Sequence, residues 1–334
     1  MVAGDANLAC DEIGKIGMRR GDVDLNIAAV PQELSMPLVY RPARADDLQR
    51  TDELVVASIN DLTERHGFGA MASPSPPHFQ LFSLQDDADG LWVADEEGQL
   101  RGFAFAWACG GLWFLAQLFV APGQQGRGIG NELLKRMLDH ADKTKAAERV
   151  LITFTFNRVS QGLYIRHGLF PRFPIYFLSA PRTDLAGGFL EAQLRAVPME
   201  ATASHLNSIA AIDIGALGVS REKHHRYLIK DSATKGFLLC TGDVPVGYAY
   251  LANGHVGPLA VRDPAILGIA FTTALSLAVG SGAAKISAFL PGPSESALRI
   301  AVEQGMRITC PMLLMSTRNF GRWDQYLPRN PGFM

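Results

Sequence analysis

A chain of 334 residues that is 48% hydrophobic and 19% charged is long enough for two apolar cores and too apolar for a disordered polymer. Its formal net charge of -2, with no Lys/Arg cluster, argues against nucleic-acid binding, which draws much of its affinity from neutralised phosphates. Four cysteines, Cys10, Cys109, Cys240 and Cys310, stand far apart without CxxC spacing, a pattern that suits neither a zinc site nor a disulfide framework and predicts free thiols in a reducing cytosol.

Residues 1–37 are mixed and polar, without the apolar segment of a signal peptide, and read as an N-terminal extension. The first domain is expected to begin near Leu38. Asp46 serves as a cap for a helix running through Leu48, Leu54, Val55, Ile59 and Leu62, and a shorter helix covers His78 to Leu84. Strands follow at Leu91–Ala94, Gly102–Cys109 and Leu112–Val120, turning at Glu96-Glu97-Gly98 and Gly110-Gly111. Phe103 to Val120 is uncharged and as long as a membrane span, as is Ile266 to Ala284. Gly110-Gly111 splits the first into two buried strands, and Gly280-Ser281-Gly282 ends the second as a buried helix, so no membrane partner is expected.

Beyond Pro122 a glycine-rich turn enters a helix whose Leu133, Leu134, Met137, Leu138 and Ala141 form a buried stripe. A strand over Val150–Phe156, a helix over Ser160–Arg166 ending at Gly168, and two short strands, Leu169–Phe173 and Tyr176–Leu178, complete this half. From about Ala196 the order repeats in weaker form: helices over Ala203–Leu217, Glu222–Lys230, Ala265–Val279 and Glu295–Glu303, and strands at Gly236–Thr241, Gly247–Ala252, Val256–Val261 and Lys285–Leu290. Asn157 lies as far before Gly168 as Ser294 does before Gly305, which points to internal duplication.

The turn from Pro122 to Gly130 carries the chemistry. Glycines let a ligand approach the backbone, and free N–H groups at a helix start form an anion site. Gly123 and Gly128 have Walker spacing, but Ile129 stands where Lys is required. Gly126 and Gly128 begin a dinucleotide fingerprint, but Asn131 occupies the third glycine position.

Leu118-Phe119-Val120-Ala121-Pro122 followed by Gln125-Gly126-Arg127-Gly128-Ile129-Gly130 resembles the strand-turn-helix signature of the GNAT superfamily of N-acetyltransferases. Asn157 and Tyr164-Ile165-Arg166-His167-Gly168-Leu169 resemble its closing element, and the likeness covers about residues 38 to 180. The resemblance implies an α+β fold with a mixed sheet: two GNAT-like domains, each a mostly antiparallel sheet with helices on both faces, over residues 38–185 and 196–334. It implies acetyl-CoA as co-substrate without a metal. Leu118, Phe119 and Val120 would hold the pantetheine arm, Gln125, Gly126, Arg127, Gly128, Ile129, Gly130 and Asn131 the pyrophosphate, with Asn157 nearby and Tyr164 as general acid toward the departing thiolate. Donation from a phenol of pKa ~10 to a thiolate of conjugate pKa ~8.5 is uphill by roughly 2 kcal/mol, so Tyr164 acts best as a hydrogen bond that completes transfer late.

Many relatives place a Glu on the strand before the turn; here Gln117 stands there and cannot take a proton. His66, His78 and His167 are the titratable alternatives, none singled out, and His167 reads first as a helix-end residue. Asn157 reads equally as a turn residue, and Trp92, Trp107 and Trp113 as sheet packing. The second half departs from the signature: Arg262-Asp263-Pro264-Ala265-Ile266-Leu267-Gly268 lacks its spacing, and Ala301 matches Tyr164, so this half is expected to perform no transfer. Arg221, His224, His225 and His255 stand out there; without a Cys or carboxylate at ligand spacing, a solvated helix face is the reading. Together these features predict a cytoplasmic enzyme acetylating a small-molecule primary amine, the alternative being a non-catalytic acyl-CoA sensor. A homodimer is left open.

Overall fold

The computed structural model describes residues 37–185 and 193–334; residues 1–36 of the expected extension, with Cys10, lie outside the described residues. The first half runs β1 Val39–Pro42, α1 Leu48–Arg65, α2 His78–Asp86, β2 Leu91–Glu96, β3 Gln99–Cys109, β4 Leu112–Val120, α3 Ile129–Lys143, β5 Glu148–Phe154, α4 Arg158–Arg166, β6 Phe170–Pro181 and a short α5 Arg182–Leu185. The second repeats it: β7 Arg195–Pro198, α6 Ala203–Leu217, α7 Glu222–Lys230, β8 Lys235–Thr241, β9 Val244–Ala252, β10 His255–Val261, α8 Leu267–Gly280, β11 Lys285–Pro291, α9 Glu295–Glu303 and β12 Arg307–Ser316, then β13 Tyr326–Leu327.

Local chemistry explains most of these boundaries. Asp47, not Asp46, organises the entry to α1: its carboxylate accepts from Arg44 N–H at 2.8 Å and pairs with Arg41 at 2.6 Å. Gly110, with φ +54, closes the β3–β4 hairpin, so the uncharged run from Phe103 to Val120 is two strands. Among the described residues no helix is long and apolar enough to cross a membrane. Two short strands were expected over 169–178; the chain forms one, β6, despite Pro171 and Pro174. Both prolines lie beyond Ile175, where pairing with β11 has ended, so the N–H groups they lack are not required on that side. Strands β12 and β13 carried no sequence expectation. Residues Cys310 to Ser316 are largely buried and include Pro311, which hides the alternation that marks a half-exposed strand.

All described strands join one thirteen-stranded sheet, ordered β1-β2-β3-β4-β5-β12-β6-β11-β10-β9-β8-β7, with β13 paired to β10. The centre shows a reciprocal exchange. Strand β12 of the second half inserts between β5 and β6 of the first, and β6 pairs on its far side with β11 of the second. One sheet face carries a single buried cluster spanning both halves, from Leu54 and Val55 to Leu228 and Tyr326. The opposite face carries two: one beneath α3 with Leu133 and Met137, one beneath α8 with Phe271 and Leu275.

Candidate active site

The site begins with a break in strand pairing. Strands β4 and β5 run parallel from Leu112 opposite Glu148 to Leu115 opposite Leu151, and their pairing ends there. At the same point the β3–β4 register shifts, with Phe105 opposite Gln117 and Ala106 opposite Leu115, so Ala116 is an extra residue that bends β4 away. Ala121 N–H donates to Arg101 O. By the alternation of an antiparallel ladder, the backbone groups of Leu118 and Val120 therefore turn away from β3, toward the opened edge.

A cavity of about 600 Å³ fills this opening, within the range of small-molecule sites. Leu118, Phe119, Val120, Gln125, Gly126, Gly128, Ile129, Gly130, Asn131, Asn157 and Tyr164 all line it. Arg127 does not: its exposed guanidinium pairs with Glu96 at 2.8 Å. Gly126 and Gly128 have φ of +83 and +82, left-handed backbone that suits glycine, and a Cβ at either would meet no protein atom within 4 Å. Gly128 caps α3, whose first N–H groups have no partner inside the helix and point into the turn with the positive end of the dipole. Behind it, Leu133 and Ile129 pack so closely on Gly102 that a Cβ there would lie 2.8 and 2.9 Å from them, which seats the helix against the sheet.

Tyr164 is 5% exposed, and burial pushes its phenol well above the ordinary value, with the Ser160 hydroxyl a smaller opposing influence. It therefore stays protonated, as a donor must. Asn157 caps α4, its side-chain oxygen accepting from Ser160 N–H at 3.2 Å, so the turn role and a place on the cavity wall coexist. His167 follows α4 and its Nε2 meets Asn131 Oδ1 at 3.0 Å; burial first, then Arg166 and Lys135, lower its pKa. His66 lines the cavity, with Nδ1 donating to Leu62 O at 2.8 Å. Gln117 accepts from Gln80 Nε2 at 3.3 Å.

A second cavity of about 280 Å³ adjoins the first through Gln117, Asn330 and Gly332, which line both. His78, Gln80, Tyr227, Asp231 and Arg329 are among its walls. The segment Arg329 to Gly332 carries no motif that would have marked it. It is held by long-range bonds such as Trp107 Nε1–H to Gly332 O at 3.2 Å, and one sequence does not show such partners.

The corresponding slot of the second half is closed. There β13 pairs with β10 at Leu259–Leu327 and Ala260–Tyr326, on the stretch past the parallel β10–β11 pairs, and Ala301 is fully buried in the core. His224 and His225 are not on a solvated face, as the sequence suggested; both are 1% exposed. His225 Nε2 lies 2.9 Å from Asp213 and its Nδ1 2.9 Å from Tyr250 Oη. Asp213 also binds Arg221 at 3.0 Å, and Arg221 reaches the Met334 main-chain oxygen and Tyr326 Oη. Burial works to raise the Asp213 carboxyl, but Arg221 and His225 hold it well below the usual range. His224 sits among Phe79, Trp107 and Phe333, with Cys109 Sγ 3.8 Å from its ring. Among the described residues no group of three or more His, Cys, Asp or Glu side chains is arranged to hold a metal ion.

Residues 57–169 match the model of the Acetyltransferase (GNAT) family. A protein of Archaeoglobus fulgidus described as an uncharacterized N-acetyltransferase is 29% identical over 111 residues, covering 30% of this chain and 71% of the relative. Over both halves the fold is similar to an acetyltransferase-described protein of Pyrococcus horikoshii, at TM-score 0.70 and 18% identity, covering 89% of this chain and 96% of that one. It is also similar to a GCN5-related N-acetyltransferase of Sphaerobacter thermophilus (TM-score 0.58, 15% identity, 86% and 98% covered). A tandem GNAT protein from the clavulanic acid biosynthesis pathway gives TM-score 0.57 at 14% identity, with 84% and 98% covered. With the splayed strands, the glycine turn and the family match falling on one stretch of sequence, the chain carries an acetyltransferase domain of the GNAT family.

Proposed function

We propose that the protein transfers an acetyl group from acetyl-CoA to a primary amine of a small molecule by direct attack. The observation that carries this is the opening of β4 from β5 after Leu115, a slot that leads to the left-handed glycine turn at the start of α3 and is walled by Tyr164. The residues fit the co-substrate. Backbone groups of Leu118 and Val120 can bond an extended amide arm as an added strand would, and the turn can hold a pyrophosphate.

Bound there, acetyl-CoA supplies the thioester: a C–N bond forms as the C–S bond breaks, the amine loses one proton and the thiolate gains one. Val120 N–H is the donor suited to the carbonyl oxygen as charge grows on it. Tyr164 supplies the proton to sulfur. Gln117 cannot receive the amine proton; His66, which lines the cavity with Tyr164, and His78, which lines the smaller one, are the histidines on these walls.

Calorimetric titration with acetyl-CoA, followed by CoA release across a panel of amines, tests the reading. Binding with amine-dependent release is expected. Binding without release from any amine would favour a sensor, and no affinity for any CoA species would end the proposal.

A further inference from the structure

Arg329 walls the smaller cavity with a guanidinium that feels the Asp231 carboxylate without touching it. Arg329 donates from Nη2 to Thr234 Oγ1 at 3.0 Å, and Thr234 in turn donates to Asp231 Oδ2 at 2.6 Å. Its Nη1 is fully buried and has no hydrogen-bond partner. Among the described ion pairs none includes Arg329. A buried, charged N–H without an acceptor is costly and uncommon in a folded protein, and the guanidinium that carries it belongs to a residue of the cavity wall.

The residue is also held in place rather than loosely presented. Its main-chain oxygen accepts from His255 Nε2, and His255 Nδ1 accepts from Ser287 Oγ at 2.9 Å. A Cβ on Gly257 would lie 3.0 Å from Arg329 Cα, so the backbone packs directly on β10. His255, singled out in the sequence, is thus an anchor for this segment.

We propose that Arg329 binds a carboxylate of the acceptor, which makes the acceptor an amine that also carries a carboxylate, such as a compact amino acid. This rests on the acyl-transfer reading above. The cavity offers one guanidinium, with Asp231 on the same wall, and that balance suits a monoanion better than a phosphate dianion. Gln117 belongs to both cavities, so a molecule held by its carboxylate at Arg329 extends its other end toward the thioester. A volume of about 280 Å³ limits it to a small molecule.

The experiment compares α-, β- and γ-amino acids with their carboxamides, and with aminoalkylphosphonates, as acceptors for the wild-type protein, Arg329→Gln and Arg329→Lys. Acetyl-CoA titration of each variant reports that it is folded. For the wild type, kcat/KM is expected to favour at least one amino acid over its carboxamide by about tenfold or more, the effect of one charge-assisted hydrogen bond. Arg329→Gln should bring that ratio close to one, mainly through KM, and Arg329→Lys should restore part of it. Equal use of acids and carboxamides by a wild-type protein that binds acetyl-CoA overturns the carboxylate and leaves acyl transfer standing, and a preference for phosphonates does the same. Failure of the wild type to bind acetyl-CoA overturns both.

Discussion

Ile175 and Met312 lie opposite each other where β6 meets β12, separated by the same interval as Asn157 and Ser294, or Gly168 and Gly305. Outward from that pair the sheet is symmetric: Ile175 also faces Pro291 on β11, and Met312 faces Phe154 on β5. Each half therefore completes the other's sheet with its own strand. A polypeptide of residues 37–185 alone would leave β5 without β12 and β6 without both partners, exposing hydrogen-bonding edges and the apolar side chains of Val150 and Leu178. It is expected to aggregate or stay unfolded, and to recover structure when co-expressed with residues 193–334. Size-exclusion chromatography and circular dichroism check this; a monomeric 37–185 fragment with a sharp thermal transition would contradict it.

Tyr164→Phe removes one hydroxyl from the cavity wall and leaves the packed ring. If that hydroxyl delivers the proton to sulfur, kcat should fall about 10²-fold or more, while acetyl-CoA affinity stays within about twofold. Because burial raises the phenol, Tyr164 keeps its proton throughout ordinary assay conditions. Any basic limb of the wild-type rate profile below pH ~10 must therefore come from another group. Steady-state kinetics beside calorimetry separates the two effects, and an unchanged kcat would return Tyr164 to a packing role.

The reach of the sequence follows the range of the forces involved. The glycine turn at Gly126 and Gly128 was legible because a left-handed backbone is a local demand that glycine meets alone. The stripe of α3 and the β3–β4 hairpin were legible from their periodicities, and the duplication from the matched spacing of Asn157–Gly168 and Ser294–Gly305. What escaped depends on distant partners. His224 and His225 looked solvated because Asp213, Tyr250 and Cys109 are brought to them only by the fold. Arg329 and Gly332 reach the cavities through His255 and Trp107. Strand β12, with Pro311 in its middle, takes its place from the two strands of the other half that flank it.

With β13 lying along β10, the second half has no open slot, so one acetyl-CoA should bind per chain. Restoring the phenol by Ala301→Tyr should not add a second site; it should instead destabilise the protein, since Ala301 is fully buried beside α8. Calorimetric stoichiometry near one for the wild type, and a lowered melting temperature for the variant, are the expected results. A stoichiometry near two would refute the closed slot.

Asp213 and Arg221 are 0% and 1% exposed, and removing one member of such a pair leaves the other charge stranded. Asp213→Leu should cost about 3–5 kcal/mol in denaturant unfolding, and pairing it with Arg221→Met should recover part of that loss. Arg221 also bonds Tyr326 on β13 and the Met334 main-chain oxygen, on either side of the Asn330–Gly332 stretch that lines the cavities. The single variant should therefore weaken acetyl-CoA binding as well as stability. A variant of near-normal stability would show that the network carries little of the fold.

Acid should unfold the protein earlier than its carboxylates alone would dictate. Desolvation beside Phe177 and Phe289 pushes His255 from 6.5 down to about 4, and burial likewise lowers His224 and His225. In the folded protein the His255 ring stays neutral down to about pH 4, while in the unfolded chain it takes up a proton near pH 6.5. Between those values the unfolded state binds more protons, so stability rises with pH: the His255 contribution is complete above about 6.5 and is lost as pH falls toward 4. Asp213, whose carboxyl is lowered from 3.8, contributes fully above that value and loses its contribution only as pH falls below it, so the two windows are separate. The melting temperature should decline steadily from pH 6.5 to 4.5, and His255→Gln should flatten part of that decline at some cost in stability near neutrality, because its bond to Arg329 is weakened. A melting temperature that stays level across this range would show that the histidines are not held neutral by the fold.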